Sequence, residues 1–131
     1  MSFNYGINRL LDLQETNFQV FDMDVKEDKI TYTIKHREPV QYICKHCNHA
    51  HDSYHDKDWI YIQDLPLGNR KVIWKVERMR ILCHCQMGYR VEKISFKSQK
   101  HFLTQRFVDY ISYTLCTKMF TVADVSRLFN L

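Results

Sequence analysis

Two close-spaced cysteine pairs constrain this chain more than any other feature. Cys44-Lys45-His46-Cys47 is a C-x-x-C knuckle, and Cys83-His84-Cys85 follows after 35 intervening residues. Two sulfurs at knuckle spacing can reach one tetrahedral ion, and the amides of the turn favour their thiolate forms. Two such pairs, each joined to a predicted strand, describe a structural Zn2+ site with Cys44, Cys47, Cys83 and Cys85 as ligands. A closed four-ligand site stabilises folding and leaves no open position for catalysis. The second pair has a single intervening residue, tighter than usual. This leaves two further ligand sets open: His84 in place of one sulfur, or a histidine from His46, His49, His51 and His55. Plain packing of free thiols is the competing account, and it suits the solitary Cys116.

Hydrophobic periodicity predicts an α+β chain: a small β-rich, zinc-ribbon-like domain over residues 1–98, then a helical segment over 99–131. Ile7 to Leu13 reads as a short helix or turn with Leu10, Leu11 and Leu13 available for burial. Phe21, Met23 and Val25 alternate with Asp22 and Asp24. After a polar turn, Ile30, Tyr32 and Ile34 resume the alternation, which predicts an N-terminal hairpin. Val40 to Ile43 is a short strand into Cys44, and residues 48–58 read as a loop. Trp59 to Leu65 is a strand ended by Pro66-Leu67-Gly68-Asn69. Lys71 to Leu82 is a long strand with Val72, Trp74 and Val76 on one side and Trp74 as its buried anchor. Past residue 98 the period becomes helical, with Leu103, Phe107, Tyr110, Ile111, Thr114 and Leu115 on one stripe. Thr121 to Asp124 is a capping box opening a second helix, with Val125, Leu128 and Phe129 on its apolar side.

The formal charge of +4 is unevenly spread. Residues 1–65 carry seven Lys/Arg against eleven Asp/Glu, whereas residues 66–106 carry ten against two. A local excess of this size suits a polyanion, with a merely solvated basic surface as the plain alternative. The first residues lack the zones of a secretory signal, and no apolar run is long enough for a membrane span, so a cytoplasmic protein with reduced thiols is expected. No Ser-His-Asp or Cys-His pairing is evident, and three glycines cannot build a phosphate loop. No catalytic residues and no small-molecule substrate are therefore assigned.

The order of these features resembles the N-terminal region of insertion-sequence transposases of the ISL-three family. The resemblance rests on the leucine-rich turn and hairpin from Leu10 to Lys35, the knuckle from Cys44 to His51, and the basic strand into the second cysteine pair. Its most specific element is Asp64-Leu65-Pro66-Leu67-Gly68, and the segment Leu103 to Leu131 is similar to the start of a helix-turn-helix. It implies a zinc finger that binds double-stranded DNA at a terminal repeat during transposition, with the catalytic domain beyond Leu131. Arg70, Lys71, Lys75, Arg78 and Arg80 are the candidate DNA-binding residues. Two rival functions remain: a zinc-stabilised interaction or homo-dimerisation module that inhibits a full-length enzyme, and a metal-dependent hydrolase working through His49 or His55.

Overall fold

Two antiparallel hairpins meet side by side through a parallel pairing in the computed structural model, which describes residues 3–38, 40–85, 89–117 and 121–129. Helix α1 (Phe3–Leu10) leads into β1 (Phe18–Val25) and β2 (Lys29–His36). Short strands β3 (Tyr42–Ile43) and β4 (Ala50–His51) precede the long pair β5 (Asp56–Leu67) and β6 (Arg70–Leu82). Strand β7 (Tyr89–Val91) and helices α2 (Gln105–Thr117) and α3 (Val122–Leu128) complete the α+β order that the patterning predicts. Expectations placed on Met1, Ser2 and Leu131 lie outside the described residues.

The main sheet runs β1-β2-β6-β5, with β7 added to the far end of β6. Strands β2 and β6 are parallel, in register from Lys29↔Lys71 to Ile34↔Val76. Parallel neighbours need a long crossover, and this crossover contains the first cysteine pair. The β5–β6 hairpin closes at Leu67↔Arg70 over Gly68, whose φ of +62° explains a glycine there. Pairing is irregular between Asp64 and Leu67, where Pro66 has no N–H to give the ladder.

One face of the sheet carries the main core: Phe18, Val20, Ile34, Ile60, Ile62, Val72, Trp74 and Val76, joined by Leu11 and Leu13. Trp74 is 1% exposed, the anchor expected of it. Strand β1 departs from its expected pattern. Its register shifts between Val20 and Asp22, and that extra residue changes which side chains face inward. Phe18 and Val20 are therefore the buried residues, while Phe21 and Val25 are exposed. Leu10, the last residue of α1, also faces solvent, and the turn after it sends Leu11 and Leu13 inward instead.

Strand β6 changes its buried phase midway. Val72, Trp74 and Val76 are buried in its first half, and Glu77, Met79 and Ile81 in its second. Alternate residues of a strand point to opposite faces. The second half therefore serves a separate cluster on the other face, built from Tyr42, Cys44, Met79, Ile81 and Cys83. Helices α2 and α3 form a third cluster of Phe107, Val125 and Phe129 against Leu65, Leu103, Ile111 and Leu115. The capping box is present: the Thr121 hydroxyl accepts from the Asp124 amide, and the Asp124 carboxylate accepts from the Thr121 amide. Leu128, assigned to the apolar side, is exposed instead.

Candidate metal centre

Strand β3 runs into Cys44, whose backbone bridges to Glu92 just past β7. The knuckle then folds back on itself. The Cys44 amide donates to the His49 carbonyl at 2.9 Å, and the Asn48 amide donates to the Cys44 carbonyl at 3.0 Å. Asn48 takes a φ of +60°, a left-handed conformation that asparagine tolerates better than most residues. From the other side, the buried phase of β6 continues through Met79 and Ile81 to Cys83, and the turn after it presents Cys85.

These segments bring Cys44, Cys47, Cys83 and Cys85 together with all four sulfurs within 4.8 Å of one another. The Cys44 and Cys85 sulfurs are 3.5 Å apart, and those of Cys47 and Cys83 are 3.4 Å apart. A tetrahedral zinc with bonds of about 2.3 Å separates its sulfurs by roughly 3.8 Å, within the spread seen here. The thiol chemistry points the same way. Burial opposes ionisation of Cys44, but amides of Cys47 and His46 outweigh it and hold the thiol at about 6. Cys85 is pushed up to about 12 by its hydrogen bond to Cys83, by burial and by the other thiols around it. Four thiols this close cannot all ionise without a cation among them, and the set fits Zn2+.

Among the described residues no histidine joins this group. His84 lines the same recess as Cys47, Cys83 and Cys85 without entering the set. The rings of His49 and His51 pack edge to face at 5.1 Å, and His55 stacks on Tyr89 at 3.9 Å. The single-residue spacing of the second pair is sufficient because Cys83 directly follows β6 and Cys85 already lies in the turn. Cys116 is exposed on α2 rather than packed, and it is not part of the group.

A buried polar cluster sits between the metal centre and the main core, and the sequence patterning misses it. His36 is the last residue of β2, and its ring touches Phe18 on one side and Tyr42 on the other. Its Nδ1 lies 3.0 Å from a Glu77 carboxylate oxygen and its Nε2 lies 2.8 Å from Glu92. Glu92 also accepts the Met79 amide at 2.7 Å. Burial alone depresses an imidazole, yet the two carboxylates outweigh it and raise the pKa of His36. Burial opposes ionisation of Glu77, but its bonds to His36 hold it below the usual carboxylate range, whereas burial carries Glu92 above it.

The five basic candidates, all on β6, do not share one surface. Lys71 and Lys75 fall on the face away from the main core, where the Lys75 ammonium lies 4.8 Å from the centre of the Trp59 ring. Arg78 and Arg80 project from the opposite face, where their ion pairs are with Asp58 and Asp56. Arg70 donates to the Glu27 carbonyl at 3.3 Å.

Residues 41–85 match the family of the zinc-finger of transposase IS204/IS1001/IS1096/IS1165. That segment begins just before β3, ends on Cys85 and so contains all four converging thiols. No curated protein and no solved structure matches the chain.

Proposed function

We propose that the chain, with a transposase-type zinc finger at residues 41–85, is a DNA-binding module that recognises the terminal repeat of an insertion sequence. The observation that carries this reading is the convergence of four thiols inside the matched segment. Zinc holds the knuckle against the end of β6 and so orders the basic side chains beside it, which are part of the positive excess of residues 66–106. In this reading the module binds and positions DNA, and strand transfer belongs to a separate catalytic domain. Helices α2 and α3 are the start of a helix-turn-helix that reads bases, while lysines and arginines of the sheet and knuckle contact phosphates.

No helix among the described residues is long and apolar enough to cross a membrane. The test is fluorescence anisotropy of the zinc-loaded chain with duplex DNA over a range of salt. Binding that weakens by several log units per log unit of salt is expected, and it should vanish when Cys44→Ser removes the metal. A zinc-loaded chain that ignores DNA at low salt but self-associates regardless of salt would favour the dimerisation module instead.

A further inference from the structure

Between the zinc knuckle and the first turn of α2 lies a cleft of about 520 Å³. Lys45, Arg78, Lys93 and Lys97 line it, and they come from the knuckle, β6 and the segment after β7. The only carboxylate in this lining among the described residues is Glu92, which is 2% exposed and engaged with His36 and the Met79 amide. Arg78 turns its guanidinium to Asp58. Among the described residues the three lysines have no carboxylate partner. Lys93 reaches the Asn48 side-chain oxygen at 3.4 Å, and Lys97 donates to the Ser98 carbonyl at 2.9 Å and lies over the Phe102 ring. Burial lowers the pKa of Lys97, and the nearby charges of Lys45 and Arg78 lower it further.

Lys45 and Lys93 are exposed and Lys97 is half-buried, so their like charges gather around the mouth of the cleft and attract a polyanion there. We propose that this cleft seats phosphates of a nucleic-acid backbone, with Lys45, Lys93 and Lys97 as the contacting cations. The chemistry favours a polymer over a small oxyanion. Compact oxyanions are best held by a bidentate arginine or a nest of amides, and the Arg78 fork is already turned to Asp58. Three lysines from separate segments offer separate point charges, which can each neutralise a different phosphodiester along a backbone. The placement also links metal to ligand, because Lys45 follows Cys44 directly and is positioned by the knuckle. This inference rests on the DNA-binding reading and names the surface that performs it.

The experiment compares the zinc-loaded wild-type chain with K93Q/K97Q and K71Q/K75Q on a duplex of ~20 base pairs, a length spanning about two helical turns. Affinity is followed against salt, and zinc content is measured for each protein. The cleft variant is expected to lose nearly two units of log–log slope and about tenfold or more in affinity, with its zinc retained. K71Q/K75Q should lose less. A K93Q/K97Q protein that keeps zinc and the full slope, while the wild type binds, overturns the phosphate seat alone. A wild type that binds no duplex overturns the DNA-binding reading and the seat with it. Inorganic tripolyphosphate at matched ionic strength is the competitor. Weak competition is expected, and displacement of the duplex at micromolar concentration would overturn the backbone assignment in favour of a compact polyanion.

Discussion

The Asp64 carboxylate and the Arg106 guanidinium form a two-pronged ion pair, 2.9 Å at Nε and 2.5 Å at Nη2, between residues 42 positions apart in sequence. Asp64 is 2% exposed and also accepts the Thr104 hydroxyl at 2.6 Å. Arg106 reaches onward to the Leu10 carbonyl and to Asp12. One pair therefore joins the end of β5, the turn after α1 and the start of α2.

Truncating Asp64 should consequently cost far more than a surface charge. Breaking a buried pair by removing one partner costs about 3–5 kcal/mol, and the part-exposed Arg106 will recover some hydration. Asp64→Ala is expected to lower stability by about 3 kcal/mol in urea denaturation at saturating zinc. A loss below about 0.5 kcal/mol, typical of a surface change, would show that water replaces the network without penalty.

Native mass spectrometry should find one zinc per chain. Cys44→Ser and Cys83→Ser should each abolish tight binding, and Cys116→Ser should leave it intact, since Cys116 is exposed and outside the converging group. Chelation should loosen the cluster of Tyr42, Met79 and Ile81 before the environment of Trp74 changes, because the two lie on opposite phases of β6. Near-ultraviolet circular dichroism together with tryptophan fluorescence in a Trp59→Phe background, where Trp74 is the remaining indole, distinguishes the order. Simultaneous loss of both signals would mean that the sheet cannot stand without the metal.

The buried His36 cluster predicts a signed pH dependence. The raised pKa of His36 contributes stability that is fully present below the ordinary 6.5 and is lost as pH climbs through the raised value. The lowered pKa of Glu77 contributes stability present above 4.5 and lost as pH falls through its depressed value. The His36–Glu77 pair is at full strength between those limits. Glu92, raised by burial, favours the acid side. With zinc saturating, wild-type stability should decline from pH 6 to pH 9 more than that of His36→Asn, and NMR titration should place the imidazole above 6.5. A ring titrating below 6.5 would mean that burial, not the carboxylates, dominates.

Arg78 and Arg80 should become available to DNA once their partners are neutralised. The double change Asp56→Asn and Asp58→Asn removes both ion pairs at exposed positions, so little stability is at stake. Affinity for duplex DNA should rise, with the salt slope steeper by up to about two units. An unchanged slope would put that edge of the sheet outside the DNA footprint.

Local patterns made much of this fold legible. The long apolar alternation marks β6 almost to its ends, the Thr121 and Asp124 pair marks the start of α3, and the cysteine spacing marks the metal centre. The features that local patterns do not carry depend on distance or on a single residue of phase. Nothing local announces that β2 lies parallel to β6, because that pairing is made only after a long crossover. The shift after Val20 turns Phe21 outward although its alternation is intact on paper. Lys45, Lys93 and Lys97 are separated by up to 52 positions and gather only in the folded chain, so a count along the sequence points to the closely spaced charges of β6 instead. Glu92 looked like one of two acids in a basic stretch, yet it is buried beside His36.

The reversal of buried phase along β6 makes that strand a shared reading frame. Its early residues place Trp74 in one core, and its late residues place Cys83 at the metal on the opposite side. Inserting or deleting one residue near Val76 would exchange inside for outside on everything downstream, sending Cys83 away from its three partners while Trp74 stayed in place. Substitutions can be tolerated one at a time along this strand, but its length has no slack. The spacing from Trp74 to Cys83 is therefore under tighter constraint than the identity of most residues between them.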